Sequence, residues 1–385
     1  MALRFFTAGE SHGKGIFAFL EGFPANFPVD FDFVNSELAR RQGGYGRGGR
    51  MKIEKDKVEF LSGVRLGKTL GSPILMAVWN RDYKNWMDIM KPEPGKLSEE
   101  KKVLKPRPGH ADLTGFVKYG FDDVRNVLER SSARETAGRV AAGALCKDLL
   151  RHLGIFIGSY VVAIGEKQVD VRLYEKLSLK ERFENSESSE LRLPVKNELL
   201  EETFKNYIDD MREKGESLGG IFEVFAVNVP VGLGTYVQWD RRLDGKIARA
   251  MMSIQAIKGV EIGYGFKGAL LPGSRVHDEI FYSKEKGFYR ETNRAGGLEG
   301  GMANGEPVVV RCAMKPIPTL YKPLRSVDLK TLEPYEASIE RSDICAVPAA
   351  AVVAEAMLAI TILGEIVESY PSDDFNRLLS FFNLK

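Results

Sequence analysis

The sequence feature that most restricts the fold is a helix start near residue 132. Ser131 or Ser132 can accept a hydrogen bond from an N–H group of a first helical turn, and Glu135 lies three residues beyond Ser132, as in a capping box. The small-residue segment 138–145 follows at once. This pattern predicts a helix that begins here and continues through the small residues.

The same helix start is a candidate anion-binding site. Free N–H groups and the positive end of the helix dipole attract anions, and Arg130 and Arg134 add side-chain charge beside them. An ordinary capped helix with two solvated arginines would show the same residues. The segment alone therefore leaves a structural and a binding role open.

Composition favours a soluble globular protein in a reducing compartment. The 385 residues suffice for one large or two ordinary domains, and 44% of them are hydrophobic. The 55 Lys and Arg nearly balance the 53 Asp and Glu, so no overall charge favours nucleic acid. Cys146, Cys312 and Cys345 are far apart and odd in number, which argues against a disulfide framework or a zinc knuckle. We expect no apolar run of membrane-spanning length and no signal segment, and hence a cytoplasmic location.

Two histidines lie in loops that suit chemistry. His12 follows a predicted strand, residues 3–8, and its flanking glycines let the backbone approach a ligand. His110 lies in segment 105–112, where two prolines stiffen the chain. The structural alternatives are a hairpin histidine that faces water and a hydrogen-bonded loop histidine.

An arginine-rich glycine loop, residues 43–50, follows a helix predicted over residues 33–42. Such a loop can wrap an anion, because glycine lets the backbone come close. A disordered RGG-like nucleic-acid tail is the alternative. The strand-like residues 51–54 come directly afterwards, which favours a folded loop.

The remaining chain alternates predicted strands and helices. Strands are predicted within residues 58–78, 155–165, 219–230 and 307–313, helices over 243–257 and 349–367, and a charged, mostly helical peripheral segment over about 170–215. Asp343 precedes the last helix, where it is either a functional acid or an ordinary N-terminal one. Residues 263–268 match a dinucleotide fingerprint by letter, but residues 269–273 cannot open the helix that this site needs.

Seven segments, in order along the chain, resemble signatures of the chorismate synthase family. They are residues 9–13, 40–47, 107–112, 130–136, 296–301, 315–316 and 341–343. Each could occur by chance, whereas seven in sequence over nearly the whole chain are specific. The resemblance implies an α/β (α+β) fold, a single-domain β-α-β sandwich over residues 1–385 with mainly antiparallel sheets, assembled as a homotetramer.

The resemblance also implies a reaction. Members of this family convert 5-enolpyruvylshikimate 3-phosphate to chorismate and phosphate by 1,4-anti-elimination, in the shikimate pathway of aromatic amino-acid biosynthesis. They require reduced FMN (FMNH2) without net oxidation. We expect an external flavin reductase or another source of reduced FMN, with NADPH only as a possible reductant of the flavin. Neither nucleic acid, nor a membrane, nor a metal ion is an expected partner.

Individual roles follow from the same resemblance. The residues expected to bind the substrate anions through guanidinium groups are Arg41, Arg47, Arg50, Arg107 and Arg134. An alternative assignment gives the positions of Arg41 and Arg47 to NADP. The residues expected to hold FMN are Arg130, Ser131, Ser132, Gln255, Ala256, Gly300, Lys315, Pro316, Ile317, Pro318, Thr319 and Arg341. At the position of Gln255, many relatives have Asn.

Three residues are expected to handle protons. His12 assists the departing phosphate, and His110 donates to or stabilises the N1 and O2 edge of the reduced flavin. Asp343 is expected to take a proton from flavin N5, so that N5 can accept the hydrogen at substrate C6. The alternative class is a binding module, a flavoprotein or RNA-binding protein that uses the same loops without chemistry.

Overall fold

The strands and helices of the chain are taken from a computed structural model. It describes residues 2–48, 55–95, 97, 101–322, 324–337 and 342–383. The strands are β1 (Arg4–Ala8), β2 (Gly15–Glu21), β3 (Val58–Ser62), β4 (Val64–Arg65), β5 (Lys68–Thr69), β6 (Ile74–Trp79), β7 (Phe156–Ile164), β8 (Lys167–Gln168), β9 (Gly220–Val227), β10 (Ile257–Ile262), β11 (Phe281–Ser283), β12 (Gly287–Tyr289), β13 (Leu298–Glu299), β14 (Met302–Ala303), β15 (Val308–Met314), β16 (Arg325–Val327) and β17 (Pro334–Glu336). The helices are α1 (Phe31–Gln42), α2 (Met87–Met90), α3 (Asp112–Tyr119), α4 (Arg125–Ser131), α5 (Thr136–His152), α6 (Leu179–Glu187), α7 (Glu198–Glu213), α8 (Leu243–Met252), α9 (Gly265–Ala269), α10 (Val347–Ser369) and α11 (Phe375–Asn383).

Two antiparallel sheets enclose a layer of helices. The first sheet has the strand order β1-β2-β6-β3 and the second the order β10-β15-β9-β7-β8. Side chains of a strand alternate between faces, and in β2 the buried face consists of Ile16, Ala18 and Leu20. Helix α5 packs against β2 and β6, α10 packs against β7 and β9, and the two helices pack against each other. The sequence of layers is therefore sheet, helices, sheet.

The two central helices cross at a glycine. A Cβ atom at Gly143 of α5 would lie 2.3 Å from the Cβ of Ala356 of α10, closer than two carbon atoms can approach. Only a residue without a side chain allows this crossing. The helix predicted through the small residues is thus confirmed, and its small residues form the contact between the helices.

The start of α5 differs from the prediction. The Ser132 hydroxyl accepts a hydrogen bond from the N–H two residues later and caps a short 3-10 turn, Ala133–Glu135, before α5 begins. The Glu135 side chain does not return to Ser132; it contacts Thr7, Gln255 and Arg139. The predicted capping box is therefore wrong, because this carboxylate is used by side chains from other segments.

Helix α10 differs from the prediction that the chain has no apolar run of membrane-spanning length. Its 23 residues are long and apolar enough, by length and composition, to cross a membrane, whereas no such run was expected. Within this fold, 83% of its most apolar stretch is buried. The buried Glu355 on this helix accepts hydrogen bonds from Arg40, Lys147, Arg192 and Ser159. Helix α10 is therefore the central core helix, held by an ion cluster at its middle.

The charged segment at residues 170–215 contains α6 and α7. It also reaches the interior, since Leu191, Phe204 and Ile208 belong to the hydrophobic core. Arg192 from this segment joins the ion cluster around Glu355. The segment therefore contributes to the core as well as to the surface.

Candidate active site

A buried cluster of two arginines and one aspartate lies at the start of α5. Nη2 of Arg41, from the last turn of α1, is 2.7 Å from Oδ2 of Asp56, and Nη1 of Arg134 is 2.7 Å from both carboxylate oxygens. The three side chains are at most 5% exposed. Because an unpaired charge is costly in such a place, Asp56 stabilises both guanidinium groups.

The electrostatics of this cluster favour an added anion. Burial lowers the pKa of Arg41 to about 10, although Asp56 opposes the shift, and the nearby charges of Arg134 and Arg47 lower it further. The group still carries its charge at neutral pH. Nε of Arg41 and Nη2 of Arg134 are buried and have no hydrogen-bond partner among the described residues. Unpaired buried donors cost free energy, so the cluster has donors available for a ligand.

Asn80 connects this cluster to the histidine loop, residues 9–13. Its Oδ1 accepts a hydrogen bond of 2.8 Å from Nε of Arg134. Its Nδ2 group donates to three carbonyl oxygens of the loop at 2.8 to 3.2 Å. The loop that carries His12 is therefore fixed relative to the arginines.

His12 is held by a buried carboxylate. Its Nδ1 lies 2.9 and 3.1 Å from the two oxygens of Glu129, and its main-chain N–H donates to the same carboxylate at 2.8 Å. The imidazole stacks on Trp86 with 4.0 Å between ring centroids. Burial alone would raise the pKa of Glu129, but the hydrogen bonds from His12 outweigh it and keep that pKa below its ordinary value. Glu129 is therefore ionised at neutral pH.

His110 has a similar environment. Its Nδ1 contacts Oδ1 of Asp112, whose other oxygen accepts hydrogen bonds from Nε and the main-chain N–H of Arg107 at 2.8 and 3.0 Å. Burial opposes ionisation of Asp112, but the hydrogen bonds from His110 and Arg107 hold its pKa far below the ordinary value. Thr319 accepts a long hydrogen bond, 3.4 Å, from Arg107. The segment that contains His110 therefore lies next to Thr319, one of the residues expected to hold FMN.

Asp343 lies against the glycine loop. Its Oδ1 accepts a hydrogen bond of 2.6 Å from the Gly48 N–H, and its Oδ2 lies 3.4 Å from Nη1 of Arg47. A Cβ at Gly48 would lie 2.9 Å from the carbonyl oxygen of Ser342, so glycine permits this approach. The described part of the loop is therefore folded, as predicted. Arg50 and the strand predicted at residues 51–54 lie outside the described residues.

Several residues expected at the flavin lie along one connected surface. Arg130 donates to the carbonyl oxygens of Thr7 and Gly9 at 2.9 and 3.2 Å. Nε2 of Gln255 donates to Glu135 at 2.9 Å, while the buried Oε1 of Gln255 has no hydrogen-bond partner among the described residues. An orphaned buried acceptor of this kind suits a ligand N–H group.

The neighbouring backbone links Gln255 to the segment 315–319. Ala256 has a positive φ of 67°, which is uncommon for a residue with a side chain. Its carbonyl oxygen accepts a hydrogen bond of 2.9 Å from the Lys315 N–H. The Lys315 ammonium group contacts the carbonyl oxygen of Gly109, next to His110. Burial and the charge of Lys258 lower the pKa of Lys315.

Other expected flavin residues are placed differently. The Ser131 hydroxyl donates to the carbonyl oxygen of Val127 within α4 at 2.8 Å, so this donor is already engaged inside the helix. Gly300 lies in the turn between β13 and β14, where a Cβ atom would lie 4.0 Å from the Cβ of Tyr236. Among the described residues, no hydrogen bond joins Gly300 to the surface around Gln255. Arg341 lies outside the described residues.

Comparison with known proteins decides the family. The chorismate synthase family model matches residues 3–367. A chorismate synthase of Sulfurihydrogenibium sp. (strain YO3AOP1) is 65% identical over 98% of this chain and 96% of its own length. One of Aquifex aeolicus (strain VF5) is 59% identical over 96% of this chain and 94% of its own length. The chain belongs to the chorismate synthase family.

A solved structure supports the fold of this chorismate synthase family member. A crystal structure of chorismate synthase is 48% identical in sequence and has a TM-score of 0.79. The match covers 100% of this chain and 97% of that chain. The predicted combination of helices and antiparallel sheets is therefore confirmed. The resemblance stated from the seven sequence segments is confirmed as well.

The side chains that pair with the expected site residues were not predicted from the sequence. These partners are Asp56, Asn80, Asp112, Glu129 and Glu135. Asp112 offered a signal, because an acid two residues from a loop histidine can reach its ring. Asp56 and Asn80 offered none, since neither lies in a recognisable motif and both reach Arg134 only through the fold.

Proposed function

We propose that this chain is a chorismate synthase, which eliminates phosphate from 5-enolpyruvylshikimate 3-phosphate in a 1,4-anti-elimination that requires reduced FMN. The observation that carries the proposal is the buried pair Arg41 and Arg134 on Asp56, with unpaired donors on both arginines. A substrate with one phosphate and two carboxylates needs such donors, because guanidinium groups bind these anions through paired hydrogen bonds. The family of the chain supports the same reaction.

The arginines proposed to bind the substrate differ in the contacts that they already make within the protein. Arg41 and Arg134 have unused buried donors, and Arg47 is close enough to affect the pKa of Arg41. Arg107 is engaged by Asp112, so its contact with the substrate is proposed from the resemblance. The contact of Arg50, which lies outside the described residues, rests on the resemblance alone. We assign Arg41 and Arg47 to the substrate, because no βαβ dinucleotide unit is present among the described strands and helices.

The chemistry of the residues around Gln255 fits FMN. Arg130 and Lys315 supply cations suited to a phosphate, Ser132 supplies a hydroxyl, and Gln255 supplies an unpaired amide oxygen suited to a ring N–H. The full proposed set is Arg130, Ser131, Ser132, Gln255, Ala256, Gly300, Lys315 to Thr319 and Arg341. When bound, reduced FMN would supply electron density to the substrate as phosphate leaves, and would take up the hydrogen at C6.

Three side chains are proposed to move protons. His12 assists the departing phosphate, and His110 holds a proton for the flavin edge. Because Nδ1 of each ring faces a carboxylate, proton exchange falls to Nε2 in both. Asp343 takes up a proton through the carboxylate that also accepts from the Gly48 N–H. His12→Ala should slow turnover and change its pH profile, because the group that protonates the departing phosphate is lost.

We also propose a homotetramer built from single-domain subunits. Nine large apolar side chains between residues 231 and 288 are 65% or more exposed, which is typical of a surface that another chain covers. They are Val231, Tyr236, Val237, Trp239, Phe266, Leu270, Ile280, Tyr282 and Phe288. Light scattering should give four times the chain mass of 42.9 kDa at micromolar concentration. A monomer would contradict this proposal.

The cysteines and the source of reduced flavin bear on the cellular setting. Cys146, Cys312 and Cys345 are buried and not disulfide-bonded, as suits a reducing cytoplasm. Reduced FMN would come from an external reductase, because no βαβ unit that could bind NADPH is present among the described strands and helices. Flavin reduction by NADPH should therefore be slow with this protein alone and fast once a flavin reductase is added.

Anaerobic phosphate release tests the proposed reaction. Purified protein, photoreduced FMN and the substrate should release phosphate, while oxidised FMN should support none. Arg134→Gln should raise KM by ~10- to 10²-fold, since it removes charged hydrogen bonds. The matched control is Arg172→Gln, because the Arg172 side chain is 81% exposed and distant in the chain, and should behave as wild type. Flavin binding without phosphate release would favour the binding-module alternative.

A further inference from the structure

The two loop histidines share one arrangement. In each, Nδ1 faces a buried carboxylate, Glu129 for His12 and Asp112 for His110. An arginine shares each carboxylate, and for Glu129 it is Arg125, whose Nη1 lies 3.3 Å from Oε1. The Glu129 side chain is 2% exposed and comes from α4, 117 residues away from His12 in sequence.

We propose that Glu129 is a positioning residue for His12, which fixes the proton on Nδ1, sets the orientation of the ring and leaves Nε2 as the working nitrogen. The inference rests on the proposed action of His12 toward the leaving phosphate. Glu129 acts through His12 and not on the substrate.

Hydrogen-bond chemistry determines the tautomer. An ionised carboxylate only accepts hydrogen bonds, so a ring nitrogen 2.9 Å from it must carry the proton. Glu129 stays ionised because it accepts from His12 twice and from Arg125 once. Neutral His12 is then an acceptor at Nε2, and cationic His12 is a donor there.

Two further contacts restrict the ring. The main-chain N–H of His12 donates to the same carboxylate at 2.8 Å, so Glu129 fixes the loop as well as the imidazole. The Trp86 ring stacks on the imidazole with an angle of 30° between the planes. A rotation that moved Nδ1 away from Glu129 would lose both the hydrogen bond and the stacking, and would leave a buried acceptor unsatisfied.

Charged groups of both signs lie near His12. Glu129 is in direct contact with the ring, and Arg125 from the same helix lies 5.1 Å from the centre of the Trp86 ring. The loop itself contributes Glu10, which is exposed. The cleft beside Glu129 also contains Lys91, Lys102, Asp122 and Asp123. Because Glu129 contacts the imidazole directly, it is the carboxylate that directs the ring.

The tautomer can be measured without turnover. The chain has four histidines, so protein labelled with 15N-histidine gives few resonances, and His12→Ala identifies that of His12. We expect wild-type His12 to carry its proton on Nδ1 when neutral. A proton on Nε2 would overturn the proposal, and this measurement needs no Glu129 variant to fold.

Glu129→Gln tests the effect of the charge. The variant keeps the shape, but an amide can donate as well as accept, so it no longer dictates which ring nitrogen carries the proton. The labelled variant should therefore show more neutral His12 with its proton on Nε2 than wild type. With substrate and reduced FMN, kcat should fall ~10- to 10²-fold while KM changes less than ~3-fold. A variant with the wild-type tautomer and the wild-type kcat would overturn the proposal.

Asp122→Asn provides a matched control. Asp122 carries the same charge in the neighbouring cleft, but its side chain is 79% exposed and pairs with Lys102. This variant should keep both the His12 tautomer and kcat, and equal changes in it would overturn the specific role of Glu129. If wild-type protein releases no phosphate, the proposed function fails, whereas the His12 tautomer in wild type and in Glu129→Gln still tests Glu129.

Discussion

Arg134 donates to both carboxylate oxygens of Asp56 from a single nitrogen, at 2.7 Å each, and neither side chain is more than 3% exposed. The same aspartate also binds Arg41. Two buried positive charges therefore share one negative charge, so the three side chains together carry a net positive charge. In the proposed function, this excess is what the anionic substrate neutralises.

Replacing Asp56 tests this charge balance. Asp56→Asn should lower the free energy of unfolding by about 3 kcal/mol, because it leaves two buried guanidinium groups without a counter-charge. Added substrate should restore more stability to this variant than to wild type, since its anions replace the lost charge. Urea unfolding with and without substrate measures both effects. The exposed control Asp170→Asn should change little, and an Asp56 variant as stable as wild type would contradict the account.

His110 is expected to matter for turnover more than for binding. His110→Ala should lower kcat ~10²- to 10⁴-fold and keep substrate affinity largely unchanged. The reason is that Asp112 directs the ring, and the replacement leaves Asp112 paired with Arg107. Steady-state kinetics measures the change. Full activity in this variant would remove His110 from the mechanism.

Stability should fall in acid because of the ion cluster around Glu355. Burial opposes ionisation there, but Arg40, Lys147 and Arg192 hold the pKa of Glu355 far below its ordinary value. A depressed pKa stabilises the fold above the unfolded value of about 4.3 and loses this effect as pH falls through the folded value. The free energy of unfolding should therefore decrease below about pH 4.

A Glu355 variant separates this contribution from the others. Urea unfolding at a series of pH values should show a weaker acid dependence for Glu355→Gln, on top of a lower stability at neutral pH. Asp56 and Asp112 also have lowered pKa values, so part of the slope should remain. The exposed control Glu202→Gln should follow the wild-type curve. An unchanged slope in the Glu355 variant would contradict the role of the cluster.

Asp343→Asn tests the proposed proton acceptor. Asparagine can still accept from the Gly48 N–H, so the loop should keep its place, but it cannot take up a proton. We expect FMN and substrate to bind while turnover falls ~10²-fold or more. Flavin fluorescence titration and single-turnover kinetics measure the two parts. Normal turnover, or loss of flavin binding, would exclude this role.

Local sequence patterns predicted most elements but not their contacts. The strand predicted over residues 3–8 and the helix predicted over residues 33–42 correspond to β1 and α1 within two residues at each end. The pairing of Glu129 with His12 joins residues 117 apart, and no local pattern contains that information. Asp56, the partner of Arg134, was missed for the same reason, because the two residues are 78 apart in sequence.

The failed predictions share this cause. Glu135 had the spacing of a capping box, but its carboxylate binds Thr7 and Gln255, each 120 or more residues away. Helix α10 is apolar enough for a membrane, and only its neighbours in the fold show that it is a core helix. Tertiary contacts overrode local preference in both cases.

The central claim is that reduced FMN is required but not consumed. The most direct measurement follows phosphate release and the flavin absorbance spectrum together, under anaerobic conditions, with substrate in large excess over FMN. We expect many phosphates to be released per flavin, with the spectrum of reduced FMN restored when the substrate is exhausted. No phosphate release, or one phosphate for each flavin oxidised, would contradict it.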